Sequence, residues 1–292
     1  MAYLRHFIGF AALLVTVGNL SSANLSKDSL LRESFREAPQ NSSSSSKNLK
    51  NNPRLLENYF AEKLDNFGVR LHPGTEHRPD SKPTTMSSRR CKSIVYRTLE
   101  KLPLTHRNQL SDLTLFYTKD GRRGFGGNGS IILRCLNVKD DELASVLIHE
   151  VGHLVDGSLL FGTDSEDVSG FYDFEIPVAL DDPSLDFYRI SWISESERQD
   201  DALYLDFVSE YAMTDPFEDF AETYAYYRLH GPEFRKLKKM NSALQRKYEF
   251  MKTQVFDGAE YYVGNTEPKV DIWVRNYDIT VLPFPLKTFF AT

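Results

Sequence analysis

His149, Glu150 and His153 form the pattern His-Glu-x-x-His and are the residues of this sequence best suited to chemistry. On a helix, positions i and i+4 lie on one face, so the two histidines can offer imidazole nitrogens to one zinc ion. Glu150 then projects beside the open coordination position, where it can take a proton from a zinc-bound water. The pattern therefore predicts one Zn2+ per chain, with Glu150 as the general base of a hydrolytic reaction.

A helix from Asp140 to about Asp156 is predicted to carry this pattern, because aspartates favour helix starts and the following Gly157 favours a helix end. Apolar residues lead into the first histidine and favour a buried helix: Leu143, Val146, Leu147 and Ile148. Gly152 inside a helix costs about 1 kcal/mol relative to alanine, so it indicates close packing or access to the metal. The alternative is a surface helix that matches the pattern by chance.

A catalytic zinc needs a third protein ligand, and three sources are open. The extended pattern HExxHxxGxxH is absent, because Asp156 and Leu159 stand where its glycine and last histidine would be. Asp164 or Asp167 is the second source, although the surrounding residues lack the aspartate-zincin spacing GTxDxxYG. Asp156 itself is expected to support the ligands rather than bind the metal. The third source is a glutamate on a later helix, and Glu218 is the preferred candidate.

Glu218 lies in the predicted helix Pro216–Leu229, which ends before a Gly-Pro pair. The predicted buried stripe of this helix consists of Phe217, Phe220, Ala221 and Tyr224. Glu218 and Glu222 are spaced i,i+4, so both carboxylates lie on one flank of the stripe. Asp215 can act as N-cap with Glu218 completing a capping box, which is the alternative explanation of Glu218. Capping does not explain Glu222, so we interpret Glu218 as a ligand.

The two segments together, HEVGHLVD and YAMTDPFEDFAETY, resemble the anthrax-lethal-factor-like zinc metallopeptidases, a gluzincin group that includes the secreted Pro-Pro endopeptidases. The resemblance covers about residues 110–230 and implies a zincin-like fold that acts on protein or peptide substrates. It implies three zinc ligands: His149, His153 and Glu218. It also implies that the Tyr211 hydroxyl stabilises the oxyanion and that Glu222 supports a ligand histidine.

The resemblance further implies a strand that pairs with extended substrate, and the predicted strand Ser130–Leu136 matches this expectation. The stretch 158–208, between the two segments, is longer than expected for this group. It is a candidate lid over the cleft or wall of substrate subsites. Tyr211 has a second interpretation as a core aromatic residue beside Phe207.

The remaining elements are predicted more coarsely. Leu113–Thr118 is a predicted strand, and the glycine-rich 124–129 is a strand edge, since it leads into a strand and not a helix. The tail Asp271–Phe290 alternates like a strand. Four further histidines lack ligand spacing and are expected at the surface: His72, His77, His106 and His230. The predicted fold class is α+β, with a small sheet beside the HExxH helix and a mostly helical lobe carrying Glu218.

The N-terminal sequence predicts export. Residues 1–23 combine a positively charged start, an apolar run and a small-residue end, which is the pattern of a signal peptide. An uncleaved membrane anchor is the alternative. Residues 24–52 are rich in serine and asparagine and predict a flexible linker. Residues 53–292 are assigned to the zincin-like catalytic domain, with 53–90 as a candidate N-terminal extension or part of a propeptide.

Composition narrows the partners and the compartment. The 292 residues carry a formal net charge of −6, which argues against nucleic-acid or anionic-membrane partners. The two cysteines, Cys91 and Cys135, can pair in an oxidising compartment, and two buried thiols are the open alternative. We expect a secreted or periplasmic monomer, with no membrane span after signal cleavage, that cleaves a protein or peptide. The alternatives are a non-catalytic zinc-stabilised binding protein and a peptidase with an aspartate as third ligand.

Overall fold

The computed structural model describes four ranges of the chain: residues 53–74, 84–162, 168–263 and 275–292. The predicted signal peptide and linker lie outside these ranges, as do three residues discussed above: Asp164, Asp167 and His77. Among the described residues, no helix combines the length and apolar character needed to cross a membrane.

Four strands form one small sheet: β1 (Arg70–Pro73), β2 (Asp112–Phe116), β3 (Gly124–Gly127) and β4 (Ser130–Arg134). Their order is β1-β2-β4-β3, with β2 parallel to β1 and β4, and β3 antiparallel to β4. Strands β2 and β4 confirm the two predicted strands with small shifts at their ends. The order corrects one expectation, because β4 is flanked on both sides. The glycine-rich β3, and not β4, therefore offers the free edge beside the HExxH helix.

The described part of the chain contains nine α-helices: α1 (Pro53–Asp65), α2 (Thr85–Glu100), α3 (Leu104–Arg107), α4 (Asp140–Leu154), α5 (Leu185–Tyr188), α6 (Pro216–Leu229), α7 (Gly231–Leu237), α8 (Ser242–Phe250) and α9 (Leu286–Ala291). A second sheet is the antiparallel pair β5 (Val168–Asp173) and β6 (Ile176–Ala179). Single turns of other helix types occupy Val155–Leu159, Tyr204–Asp206, Tyr211–Met213, Met251–Val255 and Ile279–Val281. This mixture of a small sheet and helices is compatible with the predicted α+β class.

Helices α4 and α6 approach each other closely at Gly152. A Cβ atom at this position would lie 3.0 Å from Ala221 Cα and 3.3 Å from Tyr224 Cβ, both on α6. A side chain at this position would press on the α6 backbone at less than ordinary contact distance, which confirms that Gly152 marks close packing. The contact places the HExxH pattern directly against the helix that carries Glu218 and Glu222.

Two local predictions were wrong. Helix α4 does not end at Gly157, because that residue lacks the positive φ of a glycine cap and the chain continues through the π-helical turn Val155–Leu159. In the tail, residues 275–292 contain the 3₁₀ turn Ile279–Val281 and helix α9 instead of the predicted strand. Pro283 and Pro285 prevent a continuous ladder of backbone hydrogen bonds there.

Cys91 and Cys135 form a disulfide, with their Cα atoms 5.7 Å apart. The bond joins α2 to the residue that follows β4, and both cysteines are fully buried. The structure thereby decides between the two alternatives that the sequence left open, a disulfide and a pair of buried thiols.

Candidate metal centre

His149 and His153 on α4 meet Glu218 on α6 at one point. Glu218 Oε2 lies 3.2 Å from His149 Nε2 and 3.4 Å from His153 Nε2. One candidate ligand atom from each residue lies within 4.8 Å of the others, so among the described residues these three are placed such that they could hold a metal ion. The structure therefore brings together the three residues that the sequence and the resemblance predicted as ligands.

The three residues fit a zinc ion. Glu218 Oε2 is buried and receives no hydrogen bond of acceptable geometry from the described residues. In tetrahedral coordination with bonds of 2.0–2.1 Å, neighbouring ligand atoms are about 3.3 Å apart, which agrees with the two distances above. A set of two histidines and one glutamate is a usual donor set of catalytic zinc sites and leaves one position open.

The start of α6 directs Glu218 toward the histidines. Asp215 caps the helix by accepting a hydrogen bond from the backbone N–H of Glu218 at 2.8 Å, and Pro216 occupies the first helical position. The Glu218 carboxylate does not return to the cap, because its two oxygens face the histidines and Tyr211. Capping thus involves the backbone of Glu218, while its side chain belongs to the site.

Charge in the site favours a cation. Burial would lower the pKa of His149, but its contacts with Glu218 and Glu222 outweigh burial and raise that pKa well above the usual value. Burial would raise the pKa of Glu218, but His149 and His153 outweigh burial and lower it. The carboxylates that raise the pKa of His149 would equally stabilise a metal cation at the same point.

Glu222 lies behind His149, on the opposite side from Glu218. It is fully buried, and its Oε1 lies 2.9 Å from His149 Nδ1. Its Oε2 accepts hydrogen bonds from Ser209 Oγ at 2.6 Å and from the backbone N–H of Ile279 at 2.7 Å. The contact at Nδ1 is an ion pair without hydrogen-bond geometry, and the ring between the two carboxylates has Nε2 toward Glu218. Glu222 therefore lies against the histidine that it was predicted to support.

Tyr211 stands at the mouth of the site. Its hydroxyl donates a hydrogen bond of 3.0 Å to Glu218 Oε1, and its ring centroid lies 6.1 Å from that of His149. With 43% of its surface exposed, Tyr211 is not the core residue that the alternative interpretation proposed. Partial burial and the neighbouring Glu218 raise the pKa of the phenol, so the hydroxyl keeps its proton and can donate it in a hydrogen bond.

Glu150 lies under the edge strand β3. A Cβ atom at Gly124 would overlap the Glu150 carboxylate, and one at Gly126 would lie 2.7 Å from the Glu150 carbonyl oxygen. The glycines of β3 therefore make room for Glu150, a role that the sequence did not indicate. Burial raises the pKa of Glu150, and the two histidines oppose this shift. A raised pKa suits a carboxylate that takes up and returns a proton near neutral pH.

Asp156 follows the second histidine by almost one turn and is buried. Its Oδ2 accepts a 2.6 Å hydrogen bond from the Tyr188 hydroxyl, and burial raises its pKa to about 7. The described contacts of Asp156 join it to the 158–208 stretch, and its relation to His153 is electrostatic. The other aspartates considered as third ligands, at 164 and 167, lie outside the described residues.

The described part of the 158–208 stretch packs beside the site. Phe171 of β5 lies 5.5 Å from Tyr188 between ring centroids, and Tyr188 lies 5.3 Å from Phe217, the neighbour of Glu218. Trp192 Nε1 donates to Asp219 Oδ2 at 3.0 Å. Asp219 in turn forms a fully buried 2.6 Å ion pair with Lys247 of α8. This stretch is therefore tied to α6, the helix that carries Glu218.

Two of the four further histidines are buried, so their predicted surface location was wrong. His106 lies between the Tyr224 hydroxyl and the Val255 carbonyl oxygen, 2.8 Å from each, and His230 is also buried. Burial lowers the pKa of His106 to about 4. His72 is exposed beside Asp112, as predicted. No periodic signal marks such residues, because their burial depends on helices far apart in the sequence.

The chain was compared with models of known protein families, with characterised proteins and with solved structures, and none of the three comparisons gave a match. The assignment of a function therefore depends on the residues of the site and on their arrangement. The resemblance noted from the two sequence segments remains an expectation.

Proposed function

We propose that this protein is an exported zinc-dependent endopeptidase with a zincin-like domain. The observation that carries the proposal is the convergence of His149 Nε2 and His153 Nε2 on the buried, otherwise unbonded Glu218 Oε2. Glu150 is buried beside this point, as a general base requires. The resemblance of the two segments to lethal-factor-like metallopeptidases supports the same function.

The residues have separate roles in the proposed hydrolysis. A zinc ion held by His149, His153 and Glu218 would act as a Lewis acid and lower the pKa of a bound water. Glu150 accepts the proton of the attacking water and returns it to the leaving amine, which its raised pKa favours. Tyr211 turns its hydroxyl from Glu218 to the oxyanion that develops on the substrate carbonyl.

The proposed substrate is an extended peptide that pairs with β3. This strand has β4 on one side only, so its other edge is open in the sheet. Its glycines lie against Glu150, and a peptide hydrogen-bonded to that edge passes over the general base. We propose that the protein works as a secreted or periplasmic monomer.

Zinc content and peptide cleavage test this function together. We expect about one zinc per wild-type chain and a strong loss in Glu218→Ala. Glu249→Ala is the matched control, since Glu249 is an exposed carboxylate paired with Lys238 at 2.7 Å. Glu150→Gln is expected to keep zinc and to lose cleavage of a mixed peptide library measured by mass spectrometry.

Other outcomes would redirect the proposal. Full zinc retention in Glu218→Ala would move the third ligand to an aspartate. A wild-type protein that binds zinc but cleaves no peptide would favour a non-catalytic binding protein. In that case Glu150→Gln would bind its partner as well as the wild type does. No zinc in the wild type after supplementation would end the metallopeptidase proposal.

A further inference from the structure

We propose that the C-terminal turn Ile279–Val281 positions the metal site, with the backbone N–H of Ile279 as the group that acts on it. The inference rests on the proposed function, because it concerns the zinc ligand His149. Ile279 donates to Glu222 Oε2 at 2.7 Å, and the other oxygen of Glu222 lies 2.9 Å from His149 Nδ1. The backbone amide therefore acts on the proposed ligand His149 through a single residue, Glu222. In the sequence, Ile279 follows the HExxH pattern by well over a hundred positions.

Glu222 depends on this donor because it is fully buried. A buried carboxylate is costly unless hydrogen bonds satisfy its oxygens. Its Oε2 is satisfied by two donors, Ser209 Oγ and the Ile279 N–H. Ser209 also accepts a 3.0 Å hydrogen bond from the Ala212 N–H, which fixes its hydroxyl. Without the Ile279 donor, Glu222 Oε2 would keep only the Ser209 hydroxyl, and the carboxylate would be held less firmly toward His149.

The turn itself is held from three directions. Arg123, which precedes the glycine over Glu150, donates to Asp278 Oδ2 and Thr280 Oγ1 at 2.6 Å each. Ser145 of α4 faces the Ile279 carbonyl oxygen at 3.5 Å. Asp278 caps the turn by accepting from the Thr280 N–H at 2.9 Å. The amide of Ile279 is therefore fixed relative to both the edge strand and the HExxH helix.

The same segment also anchors the residues around Tyr211. The backbone N–H of Glu210 donates to the carbonyl oxygens of Arg275 and Tyr277 at 2.7 and 3.2 Å. The N–H of Tyr211 lies 3.5 Å from the Tyr277 carbonyl oxygen. Residues 275–281 thus hold the supporting carboxylate and the hydroxyl donor of the site, while contributing no side chain to the metal ligands themselves.

Ile279→Pro removes the N–H donor with little demand on the backbone. Ile279 is the first residue of the turn, and Asp278 before it is extended, with φ −98° and ψ 154°. Proline favours the first position of a helical turn, and it favours an extended residue before it. Ile279→Val is the matched control, because valine and proline both carry three side-chain carbons and only valine keeps the N–H. Both variants shorten the buried side chain. In Ile279→Pro alone, a ring carbon also takes the place of the hydrogen that points at Glu222 Oε2, so the contact with the carboxylate is removed outright.

The measurement is zinc affinity by chelator competition, together with the visible spectrum of the cobalt-substituted proteins. We expect Ile279→Pro to bind zinc about 10- to 100-fold more weakly than Ile279→Val, as is usual when the support of a metal-ligating histidine is lost. The cobalt bands of Ile279→Pro are expected to shift, while those of Ile279→Val match the wild type. A purely structural role would change the thermal midpoint without changing the cobalt spectrum.

The outcomes separate this inference from the proposed function. Zinc binding by the wild type with equal affinities in the two variants overturns the inference alone. No zinc binding by the wild type overturns both proposals. If Ile279→Pro does not fold, the wild-type amide proton of Ile279 gives the test by NMR. Its resonance is expected to shift upfield in Glu222→Ala, and an unchanged resonance overturns the inference.

Discussion

Glu222 and Glu218 hold opposite nitrogens of His149: Glu222 Oε1 lies 2.9 Å from Nδ1, and Glu218 Oε2 lies 3.2 Å from Nε2. The imidazole is therefore oriented from both sides by carboxylates one helical turn apart on α6. These two contacts with His149 explain why Glu218 and Glu222 are spaced i,i+4 at the edge of the apolar face of α6. One carboxylate faces the metal position, and the other fixes the tautomer that exposes the Nε2 lone pair.

Glu222→Gln is expected to weaken zinc binding by about 10- to 100-fold. A glutamine amide cannot accept from both Ser209 and Ile279 through one oxygen and also accept from His149 Nδ1 through its nitrogen. The ring then adopts the tautomer that protonates Nε2. Chelator competition measures the effect, with Glu249→Gln as the exposed control. Equal zinc affinity in Glu222→Gln and the wild type would show that this carboxylate does not orient His149.

Gly124→Ala is expected to lower the rate of peptide cleavage by about 10²- to 10⁴-fold while the zinc content stays unchanged. The added methyl group would overlap the Glu150 carboxylate, the end of a flexible side chain that can move away, and would also press on Val146 Cγ1 at 2.6 Å. Gly127→Ala on the same strand is the matched control, because nothing lies within 4 Å of its added Cβ. Equal rates in the two variants would mean that β3 does not position the general base.

Tyr211→Phe is expected to reduce kcat by about 10²- to 10³-fold with little change in KM or zinc content. The variant keeps the ring beside His149 and removes only the hydroxyl that donates to Glu218. Steady-state kinetics on a cleaved peptide provide the measurement. A lowered thermal midpoint with unchanged kcat would instead assign Tyr211 a structural role.

Gly152→Ala is expected to destabilise the fold by about 1–3 kcal/mol, because its Cβ would press on the α6 backbone. The displacement of α6 also moves Glu218, so zinc affinity falls in parallel. Gly157→Ala is the control, since no atom lies within 4 Å of its added Cβ and its φ is not positive. Denaturant unfolding of both variants gives the comparison, and equal stabilities would contradict the close packing of the two helices.

His106 is expected to make the fold acid-sensitive between about pH 6.5 and 4. Its Nε2 carries the proton, because the Val255 carbonyl can only accept, and its pKa is lowered to about 4 by burial. The unfolded chain takes up the proton near its usual pKa of 6.5, so stability falls as pH decreases through this window, by at most about 1.4 kcal/mol per pH unit. The stability difference between wild type and His106→Gln, followed against pH by urea unfolding, isolates this titration, and a constant difference would refute it.

The sequence predicts the parts of the site that depend on local periodicity. Helix α6 occupies the predicted residues, and α4 differs only at its end, because spacing of 3.6 residues encodes a helix and its buried face. The meeting of His149, His153 and Glu218 follows from two such helices packed at Gly152. Strand β1 was not predicted, since its four residues include a proline and only one apolar residue, Leu71, and so show no alternation.

The groups that the sequence did not indicate act through the backbone or through distant packing. Every residue except proline has a backbone N–H. No side-chain pattern in the sequence therefore distinguishes the N–H of Ile279 as a partner of Glu222. Gly124 was interpreted as part of a strand edge, and its contact with Glu150 depends on the register between β3 and α4. The alternation of the tail predicted a strand, but its prolines and its contacts with Glu222 and Arg123 favour a turn.

The buried ion pair of Asp219 and Lys247 also determines which carboxylate reaches the histidines. Glu218 and Asp219 are adjacent on α6, and a rotation of that helix by one residue would turn Asp219 into the direction of Glu218 and Glu218 away from the histidines. Lys247 is fully buried and would then lose its counter-charge inside the protein. The ion pair with Lys247 thus favours one rotation of α6 about its own axis. Exchanging Glu218 and Asp219 in the sequence would leave composition, charge and helix propensity nearly unchanged. It would nevertheless give the histidines a carboxylate that is one carbon too short and Lys247 one that is one carbon too long.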